Sequence, residues 1–318
     1  PSVAGGPADP ATWDKHFGQL DSFTAGTSEA LARTRKAEQL GANVAQAYRE
    51  VAKMRDAKAP DAKKLESLRK EAGANLSTTV LDVTSAASIA AAVAEVERIT
   101  SGHGLDVLVN NAGFGVIGPL TEIADSELRR QYDTNVFGLM AVTRAFVPAM
   151  RRRGRGRIIN VSSLGGKMTI PFMGAYNSTK YALESLSDAL RYELRAFGID
   201  VVLIEPGVIH TQFADTALTP VEQYKDTAYG PAIARADKLR QRMDATGVGP
   251  EVVARAIHKA IRRRRPAARY VAPWYGRILL GVLAVTPTRV QDAAFRRLSF
   301  LSPSQLRAPE QLTASPTA

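Results

Sequence analysis

The sequence predicts an α/β fold, a doubly wound and mostly parallel sheet in a single domain, and three observations lead there. Short apolar, β-branched runs alternate with longer segments of helical periodicity, the order that βαβ units produce. The runs carry little polar alternation, as expected of strands covered by helices on both faces. Asp82, Asn111, Ser163 and Pro206 all fall at or just after the ends of runs, and in open parallel sheets ligands bind beyond the strands' carboxyl ends. The 318 residues, 45% hydrophobic, are enough for one such domain with a substantial core.

Residues 1–18, rich in Pro, Gly and Ala, read as a flexible arm, and residues 19–301 as the domain itself. Residues 28–72 are dominated by Ala, Glu, Lys, Arg and Leu, a composition that favours helix. Strands are then expected at residues 78–81, 107–109, 157–161, 201–204 and 270–272, with helices over 85–99, 126–150, 175–197 and 250–261 between them. Residues 211–248 lack a clear strand and read as a substrate loop or lid, since long segments of that kind are commonly functional. Residues 302–318 return to Pro, Ser, Ala and Thr and read as a disordered tail.

The 42 Lys and Arg outnumber the 31 Asp and Glu, giving a formal charge of +11 that favours anionic partners: a phosphorylated cofactor, a membrane surface or nucleic acid. The absence of cysteine excludes disulfides, thiolate chemistry and a cysteine-ligated zinc, and fits a reducing, cytoplasmic setting. Residues 1–30 lack the charged start and apolar stretch of a signal peptide, and the longest apolar run, residues 278–285, is too short to span a bilayer. Residues 274–300 mix that run with arginines, a composition that suits an apolar substrate entrance, a shallow peripheral membrane contact or a helix packed on the core. The basic runs 151–157 and 262–265 suggest nucleic acid at first sight. Each follows a helix of the core pattern, where cations suit the helix C-terminus, and no aromatic platform accompanies either, so solvated caps are expected and no nucleic-acid partner. His210 and His258 have no metal-ligand companions, and no metal site is expected.

The most informative pair is Tyr176 and Lys180, four residues apart at the head of an apolar-periodic segment. On a helix they share a face, and a cation beside a phenol favours the phenolate, which suits acid–base work. Tyr-x-x-x-Lys alone is also what two exposed helix residues would look like. Ser163 alone reads as a strand-end hydroxyl satisfying backbone, and Asn135 as an ordinary helix residue, although mid-helix asparagine is mildly unfavourable.

Taken together these residues resemble the short-chain dehydrogenase/reductase family. The resemblance rests on Asn110-Asn111-Ala112-Gly113, Asp133-Thr134-Asn135-Val136, Ser163 with Tyr176 and Lys180, and the turn from Pro206 to Thr211, and runs from about Ala47 to Pro273. Within the family, Phe114 to Leu120 and Glu205 to Phe213 resemble the 17β-hydroxysteroid and retinol dehydrogenase branch. The resemblance implies a Rossmann-like fold, a likeness to homo-oligomers, and an oxidoreductase that interconverts a ketone or aldehyde with an alcohol on a hydrophobic substrate. It implies that Tyr176 exchanges a proton with the substrate oxygen, Ser163 hydrogen-bonds that oxygen, Lys180 biases Tyr176 and holds the nicotinamide ribose, and Asn135 supports a water leading to Lys180. It also implies cofactor contacts at Asp82, Asn111, Ile209 and Thr211. Arg55, at the end of the expected second strand, would accommodate a 2′-phosphate and favour NADP(H) over NAD(H); Asp56 beside it mixes the signal.

One family motif is damaged. The nearest match to the glycine loop over the pyrophosphate begins Ala25-Gly26-Thr27-Ser28, with Ala30 and Ala32 where the other two glycines belong. Either this is a degraded phosphate loop, with Gly26 and Ser28 still near the cofactor, or residues 28–72 form helices that never build the first βα unit, leaving an irregular N-terminal βα unit and a catalytically weakened or non-enzymatic member with poor dinucleotide binding. The preserved spacing from Gly26 to Arg55 and Asp82 favours the first.

Overall fold

The computed structural model describes residues 77–210, 219–235, 245, 247–302 and 306. The readings of the N-terminal arm, of Gly26, Ser28, Ala30, Ala32 and Arg55, of Thr211 and of nearly all of the tail therefore lie outside the described residues.

Helix α1 spans Ala86–Ile99 and starts where Ser85 accepts a bond from the Ser88 amide. Strand β1 is Val107–Asn110, and α2 is Asp125–Tyr132. A π-helical turn, Asp133–Gly138, joins α2 to α3, Leu139–Arg153. Strand β2, Gly156–Val161, leads through a 3-10 turn, Leu164–Gly166, to the long helix α4, Gly174–Arg195. Strand β3, Ile199–Pro206, is followed by a second 3-10 turn, Thr219–Tyr224, and the short α5, Gly230–Ile233. Helix α6, Glu251–Arg262, then β4, Arg269–Ala272, α7, Gly276–Val285, and α8, Thr288–Leu298, complete the order. The strands lie in the order β1-β2-β3-β4 and every neighbouring pair is parallel.

Successive strand side chains point to opposite faces, so each strand feeds two cores. Ile158, Val201 and Leu108 pack with Val142, Phe146, Met150 and Leu194 on one face. Ile159, Val202 and Ile204 pack with Val253, Ile257 and Ala260 of α6 on the other. This is the doubly wound arrangement expected of unbroken apolar strands, and the helices return each strand's carboxyl end to one rim. No described helix is long and apolar enough to cross a membrane.

Three expectations need correction. Residues 77–82 form no strand; Val80 is 81% exposed, and among the described residues β1 pairs only with β2, so no neighbour there supplies the ladder that an extended apolar segment needs. The helix expected over 126–150 is interrupted by the π turn at Asn135. The 151–157 run is not uniformly a solvated cap. Arg157 is 1% exposed, and its guanidinium donates to the Ala260 and Ile261 carbonyls, each at 2.6 Å, and to Asp200 at 2.9 Å. It closes the C-terminal end of α6 from inside the sheet, where orphan carbonyls and the helix dipole both favour a cation. Arg153 likewise turns inward to the His103 and Leu105 carbonyls.

Candidate active site

The rim is assembled from the ends of β1, β2 and β3 and the head of α4. Tyr176 and Lys180 occupy the first two turns of α4 and are 7% and 8% exposed, so the pair sits on the buried face and not on the outer one. Lys180 Nζ donates to the Val161 carbonyl at the end of β2 (2.9 Å) and lies 5.7 Å from the centre of the Tyr176 ring. A lysine so buried needs such an acceptor, and the bond fixes the ammonium beside the phenol.

Ser163 follows two residues after β2 in extended backbone. Its Oγ accepts from the Gly165 amide at 3.0 Å, which caps the 3-10 turn and leaves the hydroxyl hydrogen to donate. That turn packs against α4 so closely that a Cβ on Gly166 would lie 3.0 Å from the Lys180 carbonyl and 3.0 Å from Ser162 Oγ. The turn and the first turns of α4 thus hold each other, which sets the serine relative to the tyrosine.

Asn135 is 1% exposed in the π turn. Its Oδ1 accepts from the Phe114 amide (3.0 Å), while its Nδ2 donates to the Phe114 carbonyl (2.8 Å) and to Thr179 Oγ1 (3.1 Å). The side chain is thereby committed to clamping the segment after β1 against α4. Extra residues of π geometry inside a helix are frequent at functional sites, and here the turn aims one amide inward.

The remaining predicted residues are spread along the rim. Asn111 is half-buried directly after β1. Asp82 is exposed and accepts from the Thr84 hydroxyl (2.7 Å) and amide (2.8 Å), bonds that hold its carboxyl below the usual carboxylate range. Ile209 follows β3 and pairs with Val248.

Several contributors were missed. Asn110, level with Asn160 in the register, donates to Asn160 Oδ1 (2.9 Å) and Thr143 Oγ1 (3.0 Å), and Asn160 donates to Ser187 (2.9 Å). This buried polar chain ties β1, β2, α3 and α4 together under the rim. An asparagine at the centre of an apolar run is the signal that could have found it. A second miss is what the expected lid packs against, in an apolar cluster next to Tyr176. Val116, Ile117, Ala175, Val221, Tyr224 and Ile233 pack together, joined by Phe114, Phe172 and Tyr229. The described part of the expected lid is therefore packed onto the segment after β1. A third miss is an ionic group behind the rim. Glu184 is 4% exposed and Glu205 2%; Lys167 Nζ and Arg269 Nε each lie 3.1 Å from Glu184 Oε2. Arg269 Nε also lies 3.1 Å from Glu205 Oε1, without the geometry of a hydrogen bond.

A proton-exchanging phenol, an adjacent ammonium and a hydroxyl donor fit the nicotinamide-ribose and carbonyl end of a dinucleotide reductase site, where oxygen charge develops as a hydride moves. Comparison with known proteins agrees. The short chain dehydrogenase family model matches residues 34–221. The NADPH-dependent 3-dehydrocapnine reductase of Ornithobacterium rhinotracheale is 36% identical over 222 residues, 69% of this chain and 78% of that protein. The 3-ketodihydrosphingosine reductase of Bacteroides thetaiotaomicron is 38% identical over 191 residues, 60% of this chain and 70% of that one. Human 17-beta-hydroxysteroid dehydrogenase type 1 is 37% identical over 200 residues, 62% of this chain and 60% of that one. A solved short-chain dehydrogenase from Streptomyces avermitilis has 29% identity and a TM-score of 0.58, covering 76% of this chain and 86% of its own. One from Burkholderia phymatum in complex with NAD has 26% identity and a TM-score of 0.59, covering 73% and 82%.

Proposed function

The chain belongs to the short-chain dehydrogenase family, and from that premise we propose that it is an NADP(H)-preferring reductase of a ketone or aldehyde on a hydrophobic substrate. It is an oxidoreductase acting between CH–OH and C=O; the cofactor choice, the substrate's character and the direction are the proposal. The observation that carries it is Tyr176 and Lys180 held on one buried face, beside Ser163 and against an apolar wall.

When bound, the dinucleotide supplies the hydride. The chain's own residues do the rest. The Tyr176 hydroxyl gives its proton to the carbonyl oxygen as negative charge builds there. The Lys180 ammonium, held by the Val161 carbonyl, stabilises the phenolate left behind. The Ser163 hydroxyl hydrogen donates to the same oxygen. Asn135 keeps the Phe114 segment in place beside them, and we assign it the water leading to Lys180. Asp82, Asn111 and Ile209, with Gly26, Ser28, Arg55 and Thr211 outside the described residues, are proposed to line the dinucleotide. Support for NADP(H) comes from Arg55 and from the NADPH-dependent relative; support for reduction of an apolar substrate comes from the names of the two bacterial relatives and from the wall. We propose a cytoplasmic homo-oligomer with weak peripheral membrane contact and no nucleic-acid partner.

The test is consumption of NADPH, with NADH in parallel, over short and long aliphatic ketones and steroid ketones. Turnover favouring NADPH and the apolar substrates is expected. Dinucleotide binding without turnover of any of them, or no binding at all, would instead support the catalytically weakened reading that Ala30 and Ala32 suggest.

A further inference from the structure

Helix α7 carries the sequence Gly-Arg-Ile-Leu-Leu-Gly-Val-Leu-Ala-Val, apolar on every side apart from Arg277, and only Gly276 of its ten residues is buried. A helix apolar all round belongs in a core or in lipid. Ile278, Val282 and Val285 are 58%, 55% and 83% exposed and, at i, i+4 and i+7, form one continuous face. Trp274, 71% exposed, and Tyr275 stand edge to face at its head. Helix α8 continues the surface, with Val290 and Leu298 exposed and no buried residue among those described. An apolar exposed pair of helices in this position needs a cover.

The charge around the face says which cover fits. Arg277, Arg289, Arg296 and Arg297 are all exposed, and Asp292 is the only acidic residue between Trp274 and Leu301. A second copy of the same surface would bring four arginines against four. An anionic bilayer accepts both the apolar stripe and the cations, and aromatic rings with one polar edge settle at its headgroup level. The tetra-arginine segment at residues 262–265 precedes β4 and so lies toward the amino ends of the strands, away from the rim; it takes no part.

The position of α7 gives the contact a direction. It leaves the carboxyl end of β4, and its first turn packs on the catalytic turn: a Cβ on Gly276 would lie 2.8 Å from Val271 Cγ1 and 3.1 Å from Leu164 Cδ1, the residue after Ser163. The exposed helix therefore emerges beside the rim that holds Tyr176.

We propose that the face of α7, extended by α8, is an interfacial lipid-binding surface that lays the rim of the sheet against an anionic membrane. This deepens the weak membrane contact proposed above, and its test needs no turnover, so it can fail while the reductase reading stands, and the reverse.

The full chain is sedimented with vesicles of phosphatidylglycerol and phosphatidylcholine, and separately with phosphatidylcholine alone. Binding to the anionic vesicles, weakened by salt and at least about tenfold weaker to the neutral ones, is expected. Ile278→Glu with Val282→Glu should reduce it by about tenfold or more. Arg289→Gln with Arg297→Gln leaves the apolar face intact, guards against misfolding of the first variant, and should weaken binding about fivefold per arginine. Tyr192→Glu, on an exposed part of α4, should change nothing. Wild-type protein left in the supernatant with both vesicles overturns the proposal. So does a self-associating wild type that the glutamate pair converts to a smaller species, which would give the face to a second copy.

Discussion

At the scale of single residues, two side chains make opposite demands on protonation. In the proposed mechanism Tyr176 loses a proton during the reaction, so removing its hydroxyl should stop chemistry while costing the fold little. Tyr176→Phe is expected to lower kcat by about 10²–10⁴-fold, the usual size of a general acid's contribution, with an unchanged circular dichroism spectrum. A variant that keeps near-full turnover would move the proton donor elsewhere. Glu205 instead keeps its proton. Burial, and then the Glu184 carboxylate beside it, push its carboxyl up to about 7, against the pull of Lys167 and Arg269. The folded chain thus holds this proton more tightly than the unfolded chain, whose carboxyl titrates near its ordinary value of 4.5. The resulting stability is complete below about pH 4.5 and is lost as pH rises through about 7. Asp188, bonded to Arg269 and Arg191, competes for one of these cations, Arg269. Glu205→Gln keeps the shape and removes the charge. Melting temperatures measured from about pH 5 to about pH 8 should fall less steeply for the variant than for wild type, as the linkage relation requires. Equal slopes would assign the titration to another group.

At the scale of elements, legibility followed burial and periodicity. The runs ending at Asn110, Val161 and Pro206 and the run in β4 were readable because strands covered on both faces must be apolar throughout, and α4 because its apolar positions recur at helical spacing. The π turn at Asn135 was not, since an extra residue in one helical turn leaves no mark in composition; only the oddity of a mid-helix asparagine hinted at it. Residues 78–81 misled, because an apolar run specifies a strand only where a neighbour completes the ladder. That Tyr176 and Lys180 share a helix face was legible by spacing, but their burial was not, since that depends on Val161 arriving from another element. Residues 219–233 were legible as part of a substrate loop, but their packing against the segment after β1 was not, for the same reason. Their contact with that segment is tight: a Cβ on Gly118 would clash with the Tyr224 ring. Gly118→Ala should push that turn outward, raising KM for a bulky apolar ketone several-fold more than for a small one, and destabilising by about 1–3 kcal/mol as overpacking does. An unchanged KM ratio, measured beside the melting temperature, would remove Tyr224 from the substrate wall.

At the scale of the whole molecule, the residues for the two ends of a dinucleotide come from different stretches of chain. In the proposed site the nicotinamide-ribose end falls to α4 and the ends of β1 to β3, where hydrogen bonds hold Asn135, Ser163 and Lys180 before any ligand arrives. The pyrophosphate and the 2′ position are proposed to fall to the stretch from Ala25 to Arg55, outside the described residues. A phosphate loop works by bringing backbone amides close to the anion at a helix start, and glycines permit both the approach and the positive φ that such turns use. Alanines at positions 30 and 32 oppose both. If that stretch is a degraded loop, the chain binds dinucleotide mainly through its well-built half, and affinity is limited by the other. Ala30→Gly combined with Ala32→Gly should then tighten NADPH in a calorimetric titration and leave kcat nearly unchanged, because the proton-transfer groups are untouched. The gain should shrink as salt rises, since the recovered contact is to a charged pyrophosphate. Two glycines inside a genuine helix would do the reverse, costing about 1 kcal/mol each without any gain in affinity. A lower melting temperature with an unchanged Kd would therefore establish the helical reading of this stretch and place the weakness of the cofactor site in its missing first βα unit.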